Sequence, residues 1–221
     1  MRDGDTVERD AFLRRAASGT FVEAPTDDPG ALVPEGPTGD LIGHFCDELT
    51  AAAGTPHRVA TADEALEVVL DLMQGHHTFM ARGNLPVPGL AGRLIHDGYH
   101  IVGSDVPRDA GERKRHQLEY ESLEVGITAV DGLLAESGSI VVTSGRESPR
   151  MASLIPEVHI ALATTDQIYR SLSHFFSERA HVVTQGSNMV VITGPSRTGD
   201  IEQTLTLGVH GPRQLHVIVI G

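Results

Sequence analysis

The run Leu215 to Ile220, LHVIVI, sets the tightest limit on what this chain can fold into. It is apolar at every position but His216, is rich in β-branched residues, and follows a break at Gly208 to Pro212. Hydrophobicity that is continuous over so short a span marks a strand buried on both faces, whereas a strand with one wet face alternates. Met189 to Ile192 and Val158 to Ala163 read as strands too. Upstream, strand-like and helix-like segments alternate, so the expected class is α/β, a mainly parallel sheet with helices on both faces.

Asp40 to Ala53 puts Leu41, Ile42, Phe45 and Leu49 on one helical face, with Gly54 as a stop. His57 to Ala60 is a short strand. Thr61 to Gln74 is a helix that opens with the capping-box spacing, Thr61 with Glu64 three residues on. Thr78 to Ala81 and Ile101 to Gly103 are further short strands, with a short helix near Arg93 to His96 between them and a charged helix over Asp109 to Glu124. Residues 126 to 145, GITAVDGLLAESGSIVVTSG, hold two apolar runs parted by Glu136-Ser137-Gly138-Ser139, as in a hairpin. Thr165 or Asp166 caps a helix through about Arg179, with Ile168, Leu172, Phe175 and Phe176 facing inward. The first 39 residues stand apart: residues 6 to 17 have the pattern of a short amphipathic helix, and Ser18 to Asp40 carries Pro25, Pro29, Pro34 and Pro37 among glycines. That composition resists helix and sheet, so residues 1–39 are expected to form an irregular N-terminal arm and 40–221 one α/β domain.

The segment between the last two apolar runs is the principal candidate for chemistry. Gly194-Pro195 and the polar cluster Ser196-Arg197-Thr198 lead into Asp200-Ile201-Glu202, which reads as the first turn of a helix. Two readings stand side by side. The free amides of a helix start, with hydroxyls from Ser196 or Thr198 and the guanidinium of Arg197, suit a carboxylate or phosphate. Equally, Ser196 or Thr198 simply caps the helix while Asp200 and Glu202 complement its dipole.

Composition excludes several classes. A formal charge of −13 leaves no basic footprint for nucleic acid, and the bases from Arg108 to His116 are interleaved with Glu112, Glu119 and Glu121 as on a solvated helix face. Cys46 is the single cysteine, so this chain alone makes no internal disulfide and holds neither a thiolate zinc site nor an iron–sulfur cluster. It sits in LIGHFCDEL, where it packs as a small hydrophobe. Lys114 is the single lysine and lies in the charged helix, which removes Schiff-base chemistry and the GxxxxGK[ST] phosphate loop. No apolar run approaches 18 residues and the N-terminus lacks the apolar centre of a signal peptide, so a cytoplasmic location with no membrane span is expected.

Glu136, at the turn of the expected hairpin, is a candidate nucleophile or general base, with a water-facing turn carboxylate as the alternative. Among the 12 histidines, His159 and His216 fall in apolar runs as core residues. His210 stands in a loop after the polar cluster, but no HxH or HExxH spacing supports a metal.

Taken together, AESGSIVV, SLIPEVHIAL and ITGPSRTGDIEQTLTLGVHGPRQLHVIVI resemble, in order and spacing, the lactate utilisation protein C (LutC) family, also described by its LUD domain. The resemblance is close over about residues 122 to 221 and holds in outline before that. It implies a fold like that of the ribose-phosphate isomerase, CoA-transferase and formyltetrahydrofolate cyclo-ligase group, and a part in oxidising L-lactate to pyruvate beside two iron–sulfur partner proteins. The family pattern falls on Glu136, Gly138, Pro156, His159, Gly194, Pro195, Ser196, Arg197, Thr198, Asp200, Glu202, His210, Gly211 and Pro212. The resulting expectation is an accessory or small-anion-binding subunit, with Gly194, Ser196, Arg197, Thr198 and His210 as the ligand set and any cluster carried by the partners. Two alternatives remain: an acyl-transfer or ATP-dependent cyclo-ligase-like enzyme that uses Glu136 and the Gly194 to Thr198 loop, and a metabolite-binding regulator.

Overall fold

The structure is a computed structural model and describes residues 36–81, 84–103, 109–145, 150–199, 205–207 and 211–221, with side chains left aside at 115–116, 183–185, 197–199 and 205–207. Residues 1–35 of the expected arm, with its short helix, lie outside the described residues, as do Asp200, Glu202 and His210.

The chain runs α1 (Leu41–Ala51), β1 (Thr55–Val59), α2 (Ala62–Leu72), β2 (Thr78–Ala81), α3 (Leu90–His96), β3 (His100–Ile101) and α4 (Ala110–Glu121). It continues through β4 (Val125–Ala129), β5 (Gly132–Leu134), β6 (Ser139–Ser144), a 3-10 turn at Arg150–Ser153, β7 (Val158–Thr164), a second 3-10 turn at Thr165–Gln167 and β8 (Ile168–Tyr169). Last come α5 (Leu172–Gln185), β9 (Asn188–Ile192), β10 (Arg197–Gly199), β11 (Leu205–Leu207) and β12 (Gln214–Ile220).

Six strands form a parallel sheet in the order β1-β12-β7-β4-β2-β3. The LHVIVI run lies inside it, and its residues divide between two layers as the absence of alternation requires. Ile218 and Ile220, with Ile160 and Leu162 of β7, pack against Val69, Met73, Leu90 and Leu94 on the α2 and α3 side. Leu215, Val217 and Val219, with Ala161 and Ala163, face Phe45 and Leu49 of α1 and Leu133, Ile140 and Val142. Each such side chain taken fully out of water contributes roughly 1.5–3 kcal/mol before ordering costs.

The second face differs from expectation in one respect, because a second sheet, β8-β5-β6-β9, shares it with α1. The outer side of that sheet carries Leu134, Val141 and Tyr169 against Phe175 and Val182 of α5. β5 and β6 do form the expected antiparallel pair, Leu134 opposite Ser139. Helix α4 is exposed at most described positions, in keeping with its charge, and Asp109 caps it by accepting from Gly111 N and Glu112 N at 2.9 and 3.0 Å.

Two elements depart from the sequence reading. Thr165 and Asp166 do not open the long helix. The side chain of Gln167 folds back to accept from Thr164 N at 2.8 Å and donates to Val130 O at 2.7 Å, which closes a short 3-10 turn. Ile168 and Tyr169 then pair with Leu133 and Leu134, and Ser171 caps α5 by accepting from His174 N. The second departure concerns the polar cluster. Arg197–Gly199 is a strand, not the approach to a helix, and it pairs antiparallel with Leu205–Leu207, Arg197 opposite Leu207 and Gly199 opposite Leu205. The first helical turn read at Asp200 to Glu202 falls outside the described residues, and the chain on either side of it is strand. β9, expected to be buried, is a half-buried strand at the edge of the second sheet.

Candidate functional site

The N-terminal ends of β7 and β12 carry His159 and Leu215 on the face turned toward the second sheet. Above them β9 contributes Val190 and Ile192, and the chain then turns sharply at Gly194. Gly194 has φ +82, and a Cβ there would stand 2.3 Å from the carbonyl oxygen of Ala52, so the turn is both left-handed and pressed onto the end of α1. Gly138 is held against the same helix, with φ +61 and Leu49 N at 2.1 Å from a would-be Cβ. These two family positions are thus accounted for by packing.

After the turn, Ser196 N donates to Pro212 O at 2.8 Å, and Arg213 N and Gln214 N both donate to Glu157 O, at 2.8 and 3.2 Å. The 194–196 and 211–213 segments are thereby tied over the sheet ends. They enclose a cavity of about 140 Å³ lined by His159, Leu215, Val190, Ile192, Gly194, Pro195, Ser196, Gly211 and Pro212, and closed by Ser153 and Leu154 of the turn before β7.

His159 is the chemically informative member. It is 1% exposed, its Nε2 lies 2.9 Å from the Thr128 hydroxyl of β4, and its Nδ1 has no hydrogen-bond partner among the described residues. An unpaired buried polar atom costs free energy comparable to a lost hydrogen bond, so this one invites a ligand. Burial pushes the imidazole down to about 4, and the ring is neutral near pH 7.

That value predicts acid lability. In the unfolded chain an imidazole titrates near 6.5. Because the folded value is lower, acidification from about 6.5 toward 4 protonates the unfolded chain in preference, and stability falls across that window while being fully present above it. His159 accounts for at most about 3 kcal/mol of the loss. His216, pushed down to about 4 by burial and then by His57 at 3.1 Å, acts in the same direction, moderated by solvent. Urea unfolding at pH 7.5, 6 and 4.5 measures the slope, which should shrink in His159→Asn.

Of the ligand set expected from sequence, Gly194 and Ser196 line the cavity. Arg197 and Thr198 follow on β10 with their side chains outside the description, and His210 lies outside it beside the lining residue Gly211. Glu136 is elsewhere: its Oε1 accepts from Leu172 N at 2.8 Å at the start of α5, and it is not part of the cavity wall. Thr128 and Ser153 were missed, the first because its tie to His159 spans 31 residues. Cys46 is half-buried beside the core and burial pushes its thiol up, which suits a packing role.

An open cleft of about 630 Å³ adjoins the cavity along the same sheet edge, sharing Gly211 and including Pro156. Glu124 there accepts from His77 N and Thr78 N at 2.6 and 3.0 Å. Burial pushes its carboxyl up, but these bonds outweigh it and hold the group below the usual range. Its acceptor capacity serves the fold. Among the described residues no group of three or more His, Cys, Asp or Glu side chains could hold a metal, and no helix is long and apolar enough to cross a membrane.

The family model of the LUD domain matches residues 42–220. The chain belongs to the LUD domain family. Lactate utilization protein C of Bacillus subtilis is 29% identical over all of this chain and 99% of its own length. Its counterpart in a Geobacillus strain is 37% identical over 58% of this chain and 55% of its own. This chain spans only about half of the length of several curated relatives that it matches. A crystal structure of a DUF162 family protein from Deinococcus radiodurans superposes with TM-score 0.63 at 22% identity, covering 84% of this chain and all of that one, which shows a shared fold.

Proposed function

We propose that this LUD protein is an accessory subunit of a cytoplasmic system that oxidises L-lactate to pyruvate together with iron–sulfur partner proteins, and that it keeps a pocket for a small acid. The observation that carries the reading is the end-to-end similarity to a lactate utilization protein C. The lone cysteine is consistent with clusters carried by other chains. The cavity over His159 supplies room for a small ligand, whereas Glu136 is engaged at the start of α5.

The test is a lactate-dependent dye-reduction assay on the assembly purified from its native host, reconstituted with and without this chain. Turnover is expected to fall at least about tenfold on omission, a loss of roughly 1.4 kcal/mol or more in effective barrier terms. Unchanged turnover, with this chain failing to copurify with coloured partners, overturns the proposal.

A further inference from the structure

We propose that the cavity over His159 takes a small monocarboxylic acid as a net-neutral unit, the carboxylate together with one proton that comes to rest on His159 Nδ1. The inference rests on the small-acid pocket of the preceding section and adds to it the recognising residue, the class of ligand and a coupled proton.

Three features lead there. The cavity holds about 140 Å³, close to the ~150 Å³ of an engineered cavity that admits benzene, which suits an acid of three or four carbons. Its described walls are mostly apolar, with Val190, Ile192, Leu154 and Leu215, and its polar members are Ser153, Ser196 and His159, whose buried Nδ1 has no described partner. Among the described residues no charged side chain is in its lining. A bare carboxylate entering such a space would be stripped of water with no counter-charge, which is prohibitive. Protonation of the ring removes the obstacle. Nε2–H then donates to the Thr128 hydroxyl 2.9 Å away, and Nδ1–H donates to the carboxylate, so that both ring nitrogens are satisfied and the pair is neutral overall.

Among the described residues, the surrounding charged groups leave this arrangement intact. Arg213 and Glu157, from the segments entering β12 and β7, pair with each other at 3.5 Å with both side chains more than half exposed. Arg150 of the 3-10 turn is exposed, His216 points to the opposite face of β12, and β4 and β9 carry no titratable residue. In the empty cavity the ring is neutral under the influence of burial alone. Acid binding must therefore draw one proton from solution, and affinity must rise as pH falls.

Calorimetry on the full chain with L-lactate, pyruvate and acetate, at pH 5.5, 6.5 and 7.5 and in buffers of different ionisation enthalpy, tests this. The expected result is uptake of about one proton per ligand and an affinity that changes about tenfold per pH unit, with binding abolished in His159→Asn. Ring-¹⁵N NMR of the unmodified chain gives a second readout that does not depend on a variant folding: the Nδ1 signal of His159 should move to the protonated position on titration with lactate. Binding without proton uptake, an unmoved Nδ1 signal, binding lost in Arg197→Ala but kept in His159→Asn, or no binding of any of the three acids each overturns the proposal. If the acids fail to bind while omission of the chain still lowers lactate turnover, the pocket inference fails alone and the subunit reading stands.

Discussion

Gly126→Ala should unfold or severely destabilise the protein, by more than about 3 kcal/mol. Gly126 lies in β4, flanked by Met80 and His159 on the two neighbouring strands. The 3-10 turn Arg150–Ser153 crosses directly over it: a Cβ at this position would stand 1.7 Å from the Ala152 carbonyl oxygen and 2.8 Å from Pro156 Cγ. Neither neighbour is a flexible side-chain end, so the turn must lift or the strand must shift. β4 is held on both sides by the parallel sheet, so the turn lifts, and it carries Ser153 and Leu154 out of the cavity wall. Differential scanning calorimetry should show a drop in Tm of at least about 6 °C for a chain of this size. Any fraction that remains folded should have lost the ligand response of the cavity. A near-normal Tm would mean that the strand and turn are farther apart in solution.

Phe45→Ala is the second large effect, at about 3–5 kcal/mol. Phe45 is fully buried on α1 and belongs to the cluster that joins the helix to β5, β6 and the central strands. Its removal leaves a hole bounded by two sheets and a helix, a setting with little freedom to collapse. Because the end of α1 is also the surface against which Gly138 and Gly194 are pressed, the loosened helix should disturb the loop that roofs the cavity. Phe45→Leu, which retains most of the volume, should recover more than half of the stability by chemical denaturation. If Phe45→Ala and Phe45→Leu unfold at the same denaturant concentration, packing at this point is not what holds α1.

Much of this architecture could be read from local pattern. The Thr61 cap of α2 is present, with its hydroxyl accepting from Glu64 N at 3.2 Å, and Glu64 reaches back to Ala60 N at 2.8 Å. α1 buries Phe45 and Leu49 as their spacing required, and β12 is covered on both faces as its unbroken apolarity required. What escaped depends on partners far along the chain. β10 and β11 are three residues each, and only the register of Arg197 against Leu207 makes residues 197–199 and 205–207 strand. The strand β8 is two residues long and acquires its identity from pairing with β5. The cavity was half legible: Gly194 and Ser196 could be named from the loop, and burial of His159 could be inferred from its apolar run. That one ring nitrogen would be tied to Thr128 and the other left open is a property of two adjacent strands, invisible in either one.

The placement of β12 between β1 and β7 also has a bearing on how the protein is made. β1 lies at the edge of the sheet, and its one described strand neighbour, β12, begins to pair with it at His216 opposite Thr55. During translation β1 therefore leaves the ribosome with its partner still some 160 residues from synthesis, and β7 waits with one side unpaired as well. Helices α1 and α2 can form early, but the layer on which they rest cannot be completed until residues 214–220 emerge. Nascent chains of this protein should pass through a long interval in which apolar strand edges are open, and that interval is where chaperone engagement and aggregation would be concentrated.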